Sequence, residues 1–346
     1  MLPGNDWSSA ASDRSFSVPE EDVVSASVMQ CDPRSNADGR TVGSSGSPTP
    51  ATGRQLEATG RLAPRLMFSG AALSSRGPRP DNQDSGLASP ELVAVADGVG
   101  GNVGGAAASA LAITSLVEQL PLPCDGDPEA QLRRAVSRAN RRLGRLRSEV
   151  PVLAGMATTL TAMALSGAGH LVVAHIGDSR AYLLRGGQLV ALTRDHSVVQ
   201  AMLDASSIST EQARNHPWRS VLIAALQGRE DDTVNVATST LRALPGDRVL
   251  LCSDGLWGDT SWRRTRRALT QEYTASAAAV RLMESVQTAP ARDNITVIVA
   301  DVTTAEAAEK GRPWSWVLPP SRTSARSAPP SRRGGADQTL AKRRAL

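Results

Sequence analysis

Four apolar stretches run directly into, or out of, an aspartate that lies beside a glycine or an asparagine. They read LVAVADG, VVAHIGDSR, VLLCSDG and DNITVIVA, and they place Asp97, Asp178, Asp254 and Asp293 at strand ends. A buried carboxylate without a partner is destabilising by several kcal/mol, of order 3–5. Several of them at one sheet edge would have to be protonated unless a cation lay between them. The pattern therefore predicts a site for divalent cations.

The types of ligand indicate which cation such a site would hold. Aspartate is short, so a strand end can aim its carboxylate at a fixed point, and the Gly98 carbonyl is a plausible further oxygen ligand. Oxygen-only ligands favour Mg²⁺ or Mn²⁺, and the sequence has no His/Cys set for zinc. An Asp-Gly pair alone is usually only a turn, so the prediction rests on the four aspartates together.

The segment SSRGPRPDNQDS is a polar loop that contains Arg79 and Asp84. A guanidinium matches two phosphate oxygens in a bidentate fork, so Arg79 is a candidate phosphate clamp. An arginine in a loop rich in glycine and proline is equally well a solvated surface residue. The pattern of residues leaves both interpretations open.

Composition limits the class of protein. The chain has 346 residues, a net charge of +4 and three cysteines, Cys31, Cys124 and Cys252, which are far apart. They form neither a disulfide framework nor a CxxC zinc pattern, so we expect a reducing compartment, the cytoplasm. No stretch has the length of a membrane span, and no secretory signal is recognisable. The charge is not concentrated in the middle of the chain, so we expect no nucleic-acid partner.

The composition also divides the chain into three parts. Residues 1–62 are rich in Ser, Gly and Pro, and residues 305–346 carry nine Lys and Arg among Pro and Ser. We predict that both ends are disordered and that residues 63–304 form one domain. Its strands follow one another with few intervening helices, which favours antiparallel pairing.

Local signals predict individual elements within that domain. Gly186-Gly187 lies at the turn of a hairpin, and Asp127-Pro128 starts a helix whose inner face carries Leu132, Val136, Leu143 and Leu146. Residues 105–119 and 275–287 are alanine-rich helices, and GGNVGG at 100–105 opens the first of them. Ser209 and Gln212 form a capping box.

These motifs resemble a known family over almost all of residues 63–304. PRPDNQDS, VAVADGVGG, GMATTL, AHIGDSRAYLLRGGQLVALTRDHS, LLCSDGLW and ARDNITVIV follow the order and spacing of the bacterial metal-dependent PPM-type (type 2C) serine/threonine protein phosphatases. The resemblance implies an α+β fold, a four-layer α/β/β/α sandwich with two central, mainly antiparallel sheets flanked by helices. It also implies metals in a channel at one edge of the sandwich, and a flap at about 198–222.

The resemblance implies two Mn²⁺ or Mg²⁺ ions in the main site and a third, weaker site. Asp97 resembles the ligand that bridges both metals, and Gly98 resembles the residue that gives its carbonyl. Asp254 and Asp293 resemble the remaining direct ligands, and Asp178 resembles the ligand of the third site.

Three further positions complete the comparison. Asp84 resembles a carboxylate that orients metal-bound waters, Asn294 a residue that holds such a water, and Arg79 the family's phosphate-binding arginine. The implied reaction is hydrolysis of phosphoserine or phosphothreonine by a water activated between two cations. Its implied partners are phosphorylated proteins and a cognate serine/threonine kinase, and monomer is the default state.

One position departs from the family pattern. Many members have a histidine directly after the Asp-Gly pair, where this chain has Val99, so the general acid is unassigned and a metal-bound water is the default candidate. This departure favours a rival hypothesis, a catalytically weak pseudophosphatase that binds a phosphoprotein or kinase. A second rival makes the basic tail the functional part, as a tether to nucleic acid or an anionic membrane.

Other residues have simpler interpretations. Cys252 lacks the CxxxxxR loop of cysteine phosphatases and is expected to be a small buried filler, and His196 is expected to be structural at a strand-to-helix junction. Trp218 is either a substrate contact or a packing residue, and Trp314 and Trp316 in the tail are weak candidates for anchoring a partner.

Overall fold

The computed structural model describes residues 64–99, 103–124, 126–287, 292–308 and 315–318. Twelve strands, β1 to β12 in chain order, lie in these ranges: Leu66–Ser75, Asp84–Ala88, Leu92–Val99, Ala157–Thr158, Leu160–Leu165, His170–Ile176, Arg180–Arg185, Gln188–Ala191, Ala237–Arg242, Arg248–Cys252, Ile295–Thr304 and Ser315–Val317. Eight helices, α1 to α8, also lie in them: Val103–Gln119, Pro128–Glu149, Val198–Asp204, Thr210–Arg214, Asp254–Trp257, Trp262–Gln271, Ala275–Gln287 and Ala305–Ala308. Two 3₁₀ turns occupy Pro151–Leu153 and Glu230–Asn235.

The strands form two antiparallel sheets. One has the order β1-β11-β10-β7-β8, and the other has the order β12-β2-β3-β5-β6-β9, with β4 paired to β3. Helices α1 and α2 cover the outer face of the second sheet, and α6 and α7 cover the outer face of the first. The predicted α/β/β/α sandwich is confirmed.

Alternating side chains on the strands build the two sides of each sheet. In β3, Leu92, Ala94 and Ala96 pack under α1 and α2. Val93 and Val95 of the same strand face the other sheet and meet its inward residues, such as Val249 and Ile298. Because side chains in a strand alternate between its faces, an entirely apolar strand is buried on both sides. This strand therefore lies at the centre of the sandwich.

The local signals read from the sequence are confirmed where the structure describes them. Asp127 accepts a hydrogen bond from the Ala130 amide at 3.0 Å and caps α2, with proline next to it. Gly186 and Gly187 both have positive φ, 55° and 75°, at the turn between β7 and β8. The Ser209–Gln212 capping box begins α4. The helix predicted after GGNVGG starts at Val103, whereas residues 100–102 lie outside the described part of the chain.

The predicted flap, at about residues 198–222, is a segment whose two ends are joined by backbone hydrogen bonds. The Val198 amide donates to the Val221 carbonyl at 2.9 Å, and the Ile223 amide donates to the His196 carbonyl at 2.9 Å. Between these bonds lie the short helices α3 and α4. The excursion is therefore a hydrogen-bonded unit attached to the sandwich by a narrow neck.

The prediction that the whole of 305–346 is disordered is wrong for two short segments. Residues 305–308 form α8, and β12 pairs with β2, so that Ser315 lies opposite Ala88 and Val317 opposite Gly86. Val317 is buried in the core between the sheets. A basic, proline-rich composition does not reveal three residues that satisfy a sheet edge. The predicted disordered region 1–62 lies outside the described residues, as does Trp314.

Within the described residues, no helix combines the length and the apolar character that crossing a membrane requires.

Candidate metal centre

The topology brings the acidic residues of both sheets to one edge of the sandwich. In one sheet, β2 begins at Asp84 and β3 carries Asp97 near its end. In the other sheet, Asp254 follows the end of β10, separated from it only by Ser253, and Asp293 lies just before β11. Asp178 lies in the turn that connects β6, in the sheet of β2 and β3, to β7, in the sheet of β10 and β11. Antiparallel neighbours place the end of one strand beside the start of the next, so these five residues lie at the same edge.

Asp84 and Asp97 are direct cross-strand partners in the β2–β3 register. Two like charges directly opposite each other destabilise a sheet. One oxygen of Asp84, Oδ2, accepts a hydrogen bond from the Ser253 hydroxyl at 2.7 Å, so this carboxylate is also tied to the start of α5. The serine Oγ in turn accepts the Thr296 amide at 2.9 Å. The repulsive pair is therefore held by contacts from the other sheet.

Burial and mutual repulsion raise the pKa values of the clustered carboxyl groups. Burial, together with the nearby Asp293, raises the pKa of Asp84 to about 6. Burial, and then the charge of Asp195, raises the pKa of Asp178 to about 7. Burial and the neighbouring carboxylates hold the pKa values of Asp97 and Asp254 well above the usual range. The cluster is thus an electrostatically unfavourable arrangement that a cation would relieve.

Two of the carboxylate oxygens are buried without a partner. Oδ1 of Asp84 and Oδ1 of Asp254 accept no hydrogen bond from any described residue. Within the same ranges, no three acidic, histidine or cysteine side chains stand close enough to form a ready-made metal site. The five carboxylates therefore surround a common region without meeting at one point. Unpaired oxygen ligands of this kind suit Mg²⁺ or Mn²⁺, so the residues fit the predicted metals.

Two glycines let the backbone segments of the centre approach closely. A Cβ on Gly98 would lie 2.1 Å from the Gly105 carbonyl oxygen at the start of α1. A Cβ on Gly255 would lie 2.1 Å from the Asn294 carbonyl oxygen. Any side chain at these positions would push apart the segments that carry the aspartates. The glycines beside Asp97 and Asp254 are therefore required by packing.

Arg79 reaches the same edge from the loop between β1 and β2. Its Nη2 donates to Oδ2 of Asp293 at 2.6 Å, and its Nε donates to the Arg292 carbonyl at 3.2 Å. The side chain is about half exposed, at 53%. Of the two interpretations left open by the sequence, the structure shows an arginine directed at the acidic centre with solvent access.

Asn294 holds the loop that carries Arg79. Its Nδ2 donates to the carbonyls of Arg76 and Asp81 at 2.8 and 2.9 Å, and its Oδ1 accepts the Gln83 amide at 2.9 Å. Both amide hydrogens are therefore used, and only a second lone pair on Oδ1 could accept from a water. Its role as holder of a metal-bound water stays a prediction.

A separate network supports Asp178. The indole Nε1 of Trp257 donates to the Asp178 carbonyl at 3.0 Å. The Arg180 guanidinium lies 3.7 Å from the centroid of that indole and forms a two-pronged ion pair with Asp195. An arginine that is stacked and doubly bonded in this way is rigid. The turn that carries Asp178 is therefore held in place by Arg180, from its own GDSR motif, and by Trp257, from SDGLW.

The residues with simpler interpretations are placed as follows. Cys252 is fully buried, and burial raises the pKa of its thiol to about 12, so the filler interpretation is confirmed. His196 accepts the Gly177 amide at 3.3 Å between β8 and α3, in agreement with a structural role. Trp218 is 53% exposed, which rules out buried packing, and its contact with a substrate stays a prediction.

Sequence reasoning missed the hydroxyl residues that position the aspartates. Ser253 bonds Asp84, and Thr159 Oγ1 accepts the Asp97 amide at 2.9 Å. Ser179 lies 2.8 Å from Thr159 through its hydroxyl. Each is adjacent to an aspartate or lies within GMATTL. Their buried, polar character inside apolar stretches is the signal that could have identified them.

Comparison with known proteins gives the same family. A family model described as "Protein phosphatase 2C" matches residues 76–296. Serine/threonine protein phosphatase PstP of Mycobacterium tuberculosis is 42% identical over 239 residues, which are 68% of this chain and 45% of that protein. Serine/threonine phosphatase stp of Listeria monocytogenes is 34% identical and covers 64% of this chain and 87% of its own length. The chain thus spans about half the length of the mycobacterial relative.

Solved structures agree with the sequence relatives. A crystal structure of M. tuberculosis PstP has 40% identity and a TM-score of 0.65, and it covers 68% of this chain and 99% of its own. The catalytic domain of PstP in complex with two manganese ions has 39% identity and a TM-score of 0.63, with coverage of 69% and 99%. Together with the sandwich and its acidic edge, these matches show that the chain belongs to the protein phosphatase 2C family.

Proposed function

We propose that this chain is a Mn²⁺- or Mg²⁺-dependent protein phosphatase that hydrolyses phosphoserine and phosphothreonine. The observation that carries the proposal is the acidic edge, where two buried carboxylate oxygens, on Asp84 and Asp254, have no partner among the described residues. The manganese ions of the related PstP structure support a divalent cation in the same fold.

The residues that would hold the cations come from both sheets. Asp97, the Gly98 carbonyl, Asp254 and Asp293 would bind two ions, and Asp84 would orient water beside them. Asp178, whose turn is fixed by Trp257, would contribute to a weaker third site. These carboxylates offer only oxygen ligands, which favours hard cations but does not distinguish manganese from magnesium.

When bound, the cations would supply an acidified water and neutralise charge on the phosphoryl group. Arg79 would bind two phosphoryl oxygens through its forked N–H groups and hold the phosphorus in line for attack. Its present contact with Asp293 already keeps the guanidinium at the edge. Val99 has no proton to give, so the leaving oxygen would be protonated by water.

The substrates would be phosphorylated proteins, and a serine/threonine kinase would act in the opposite direction. The relatives' names, serine/threonine protein phosphatase and serine/threonine phosphatase, support this substrate class. The cognate kinase, the monomeric state and a cytoplasmic location stay predictions. Cys124 and Cys252 are buried and form no disulfide bond with a described residue, which supports the reducing compartment expected from the sequence.

A second candidate is a catalytically weak regulator that binds phosphoproteins. Val99, which is 42% exposed and stands where many members of the wider family, though often not the bacterial ones, have a histidine, is the observation that favours it. Both candidates keep the metal centre, so only turnover separates them.

The decisive experiment follows phosphate release from a phosphothreonine peptide with Mn²⁺, with EDTA, and with Asp254→Asn. Asp259→Asn is the matched control, since Asp259 lies five residues further along and outside the cluster. We expect turnover that requires Mn²⁺, is lost in Asp254→Asn and is kept in the control. Folded protein that binds Mn²⁺ in calorimetry without any turnover would support the regulator.

A further inference from the structure

The outer helix α2 contains seven arginines and only two glutamates. Three of the arginines have structural contacts. Arg133 bonds the Val236 carbonyl and Thr238, Arg142 pairs with Glu118, and Arg147 donates to the Gln227 carbonyl. These contacts attach the helix to its neighbours. They leave four arginines whose presence the fold does not explain.

The remaining four form one line on the solvent face. Arg134, Arg138, Arg141 and Arg145 are all exposed and follow a spacing of four, three and four residues. That spacing places them on one side of a helix, in a stripe about 16 Å long. None of them forms an ion pair with a described residue, and Arg138 has only a 3.5 Å contact with the Gln119 carbonyl. We name these four residues the arginine stripe.

A groove runs beside the stripe. Arg138, Arg141 and Arg145 line it together with Arg142, and Glu118 and Gln119 at the end of α1 form its other wall. Its volume is about 330 Å³. Glu118, which pairs with Arg142, is the only acidic side chain among these lining residues. An unpaired row of like charges destabilises a helix, so a stripe kept beside a groove indicates an anionic ligand.

The helix has the wrong surface for a membrane. Helices that lie in a lipid interface present apolar side chains on the face opposite their charges, and these enter the bilayer. Leu132, Val136 and Leu143 of α2 are fully buried against the sheet, and Leu146 is half-buried against the same core. The helix also lacks the aromatic residues on which nucleic-acid bases stack. A groove lined by positive charges in a row suits an extended acidic peptide better than a flat membrane surface.

We propose that the arginine stripe of α2 binds an acidic segment of the substrate phosphoprotein, at a distance from the phosphorylated residue. The proposal rests on the phosphatase activity proposed above, and it adds a preference for substrates with acidic flanks. Arginine is suited to carboxylates and to further phosphates, because its guanidinium binds either in a bidentate manner.

The geometry sets the distance between the two contacts. Helix α1 begins against Gly98 at the metal centre, where Gly105 is in close contact, and Glu118 lines the groove. Thirteen residues of helix span about 20 Å. An extended peptide needs at least about six residues to cover that distance. Acidic residues next to the phosphothreonine would therefore miss the stripe, and those about eight residues away would reach it.

The test uses fluorescein-labelled phosphothreonine peptides that carry a block of four glutamates. In one set the block lies eight residues from the phosphothreonine, and in the other it lies two residues away. Each set contains peptides with the block on the N-terminal and on the C-terminal side. A peptide with glutamines in place of the glutamates is the neutral reference. The variant is Arg138→Glu/Arg141→Glu, in which each new glutamate lies four residues from another arginine of α2. The matched control is Arg264→Glu/Arg267→Glu, the same change of charge on exposed residues of α6 in the opposite outer layer.

We expect the wild-type protein to bind the eight-residue-spaced peptide about ten-fold more tightly than the other two in anisotropy titrations, with a difference that shrinks as salt increases. The variant should lose this advantage, with KM for that peptide raised about ten-fold and kcat unchanged. Hydrolysis of p-nitrophenyl phosphate should be the same in all three proteins.

Other outcomes would overturn the proposal. Equal affinity for all peptides, an equal loss in the α6 control, or a preference for the two-residue spacing would each do so. Sedimentation with phosphatidylserine vesicles that depends on Arg138 and Arg141, without any effect on peptides, would assign the stripe to a membrane. Tight peptide binding without hydrolysis of any substrate would contradict the proposed phosphatase activity, but it would still support peptide binding by the arginine stripe.

Discussion

The hydroxyl of Thr159 lies 2.8 Å from the hydroxyl of Ser179, and this contact connects the backbone segments that carry the candidate metal ligands Asp97 and Asp178. Thr159 Oγ1 also accepts the amide of Asp97, and Ser179 directly follows Asp178. Thr161 continues the chain by donating to the Ser179 carbonyl at 2.8 Å. All three hydroxyl residues are fully buried. A buried hydrogen-bonded chain therefore fixes the spacing between β3 and the Asp178 turn.

Replacing Thr159 by valine should weaken metal binding without removing a ligand. The change leaves the Asp97 amide and the Ser179 hydroxyl without their partner, which destabilises the local structure by about 1–3 kcal/mol. Calorimetric Mn²⁺ titrations should show lower affinity and turnover should need more Mn²⁺. Thr159→Ser keeps the hydroxyl and should restore most of both. A valine variant with wild-type Mn²⁺ affinity would show that the contact has no positioning role.

Replacing Asp97 by asparagine should stabilise the metal-free protein while abolishing its response to Mn²⁺. The carboxylate lies opposite Asp84, and burial together with the charges of Asp84 and Asp254 holds the pKa of Asp97 well above its usual range, so its removal relieves repulsion. We expect Tm in EDTA to rise by about 2–5 °C. Mn²⁺ should raise the Tm of the wild-type protein and of Asp259→Asn, but not of this variant. A lower Tm in EDTA would contradict the repulsion argument.

Replacing Arg79 by alanine should lower kcat/KM by about 10- to 100-fold, because a charge-assisted bidentate contact to the phosphoryl group is lost. Mn²⁺ affinity should change little, since arginine is not a ligand. Lysine keeps the charge but not the fork, so Arg79→Lys should recover only part of the loss. Arg76→Ala, in the same loop, is the control and should keep wild-type kinetics. An unchanged kcat/KM in Arg79→Ala would contradict a phosphate-binding role for Arg79.

His175 should make the protein less stable as the pH falls. Burial, aided by the nearby His196, lowers the pKa of this imidazole to about 3 from an ordinary 6.5. The unfolded chain takes up a proton below about pH 6.5 and the folded chain does not, so this contribution to stability is present above pH 6.5 and is lost towards pH 3.

The corresponding measurement is urea unfolding of wild type and His175→Gln at pH 7, 6, 5 and 4. The free energy of unfolding of the wild type should fall relative to that of the variant by up to about 1.4 kcal/mol per pH unit below 6.5. Parallel pH profiles for the two proteins would mean that folding does not lower the pKa of His175.

The C-terminal strand should contribute to stability through Val317. This residue is buried between the sheets, whereas the adjacent Leu318 is 41% exposed. Val317→Asp places a charge in the core and should lower the free energy of unfolding by about 2–4 kcal/mol. Leu318→Asp, the control next to it, should have little effect. Equal effects in thermal melts would show that β12 does not pack on β2 in solution.

Much of the site could be predicted from short segments of sequence. Each aspartate lies where an apolar strand meets a turn signal, and both features are local, so Asp97, Asp254 and Asp293 can be named as candidates without any structure. The antiparallel sandwich follows from strands that succeed one another without helices between them. Caps and the Gly186-Gly187 turn are encoded within four residues and are confirmed for the same reason.

Contacts between distant parts of the chain were decided only by the tertiary structure. The Asp84–Asp97 register, the bond from Ser253 to Asp84, and the clamp from Asn294 to the Arg79 loop join segments up to 218 residues apart. Such contacts depend on strand order and on how two sheets pack, which no local pattern specifies. The same holds for β12 and for the arginines of α2. Their residue types are evident from the sequence, but only packing shows which of them are bonded to the rest of the fold.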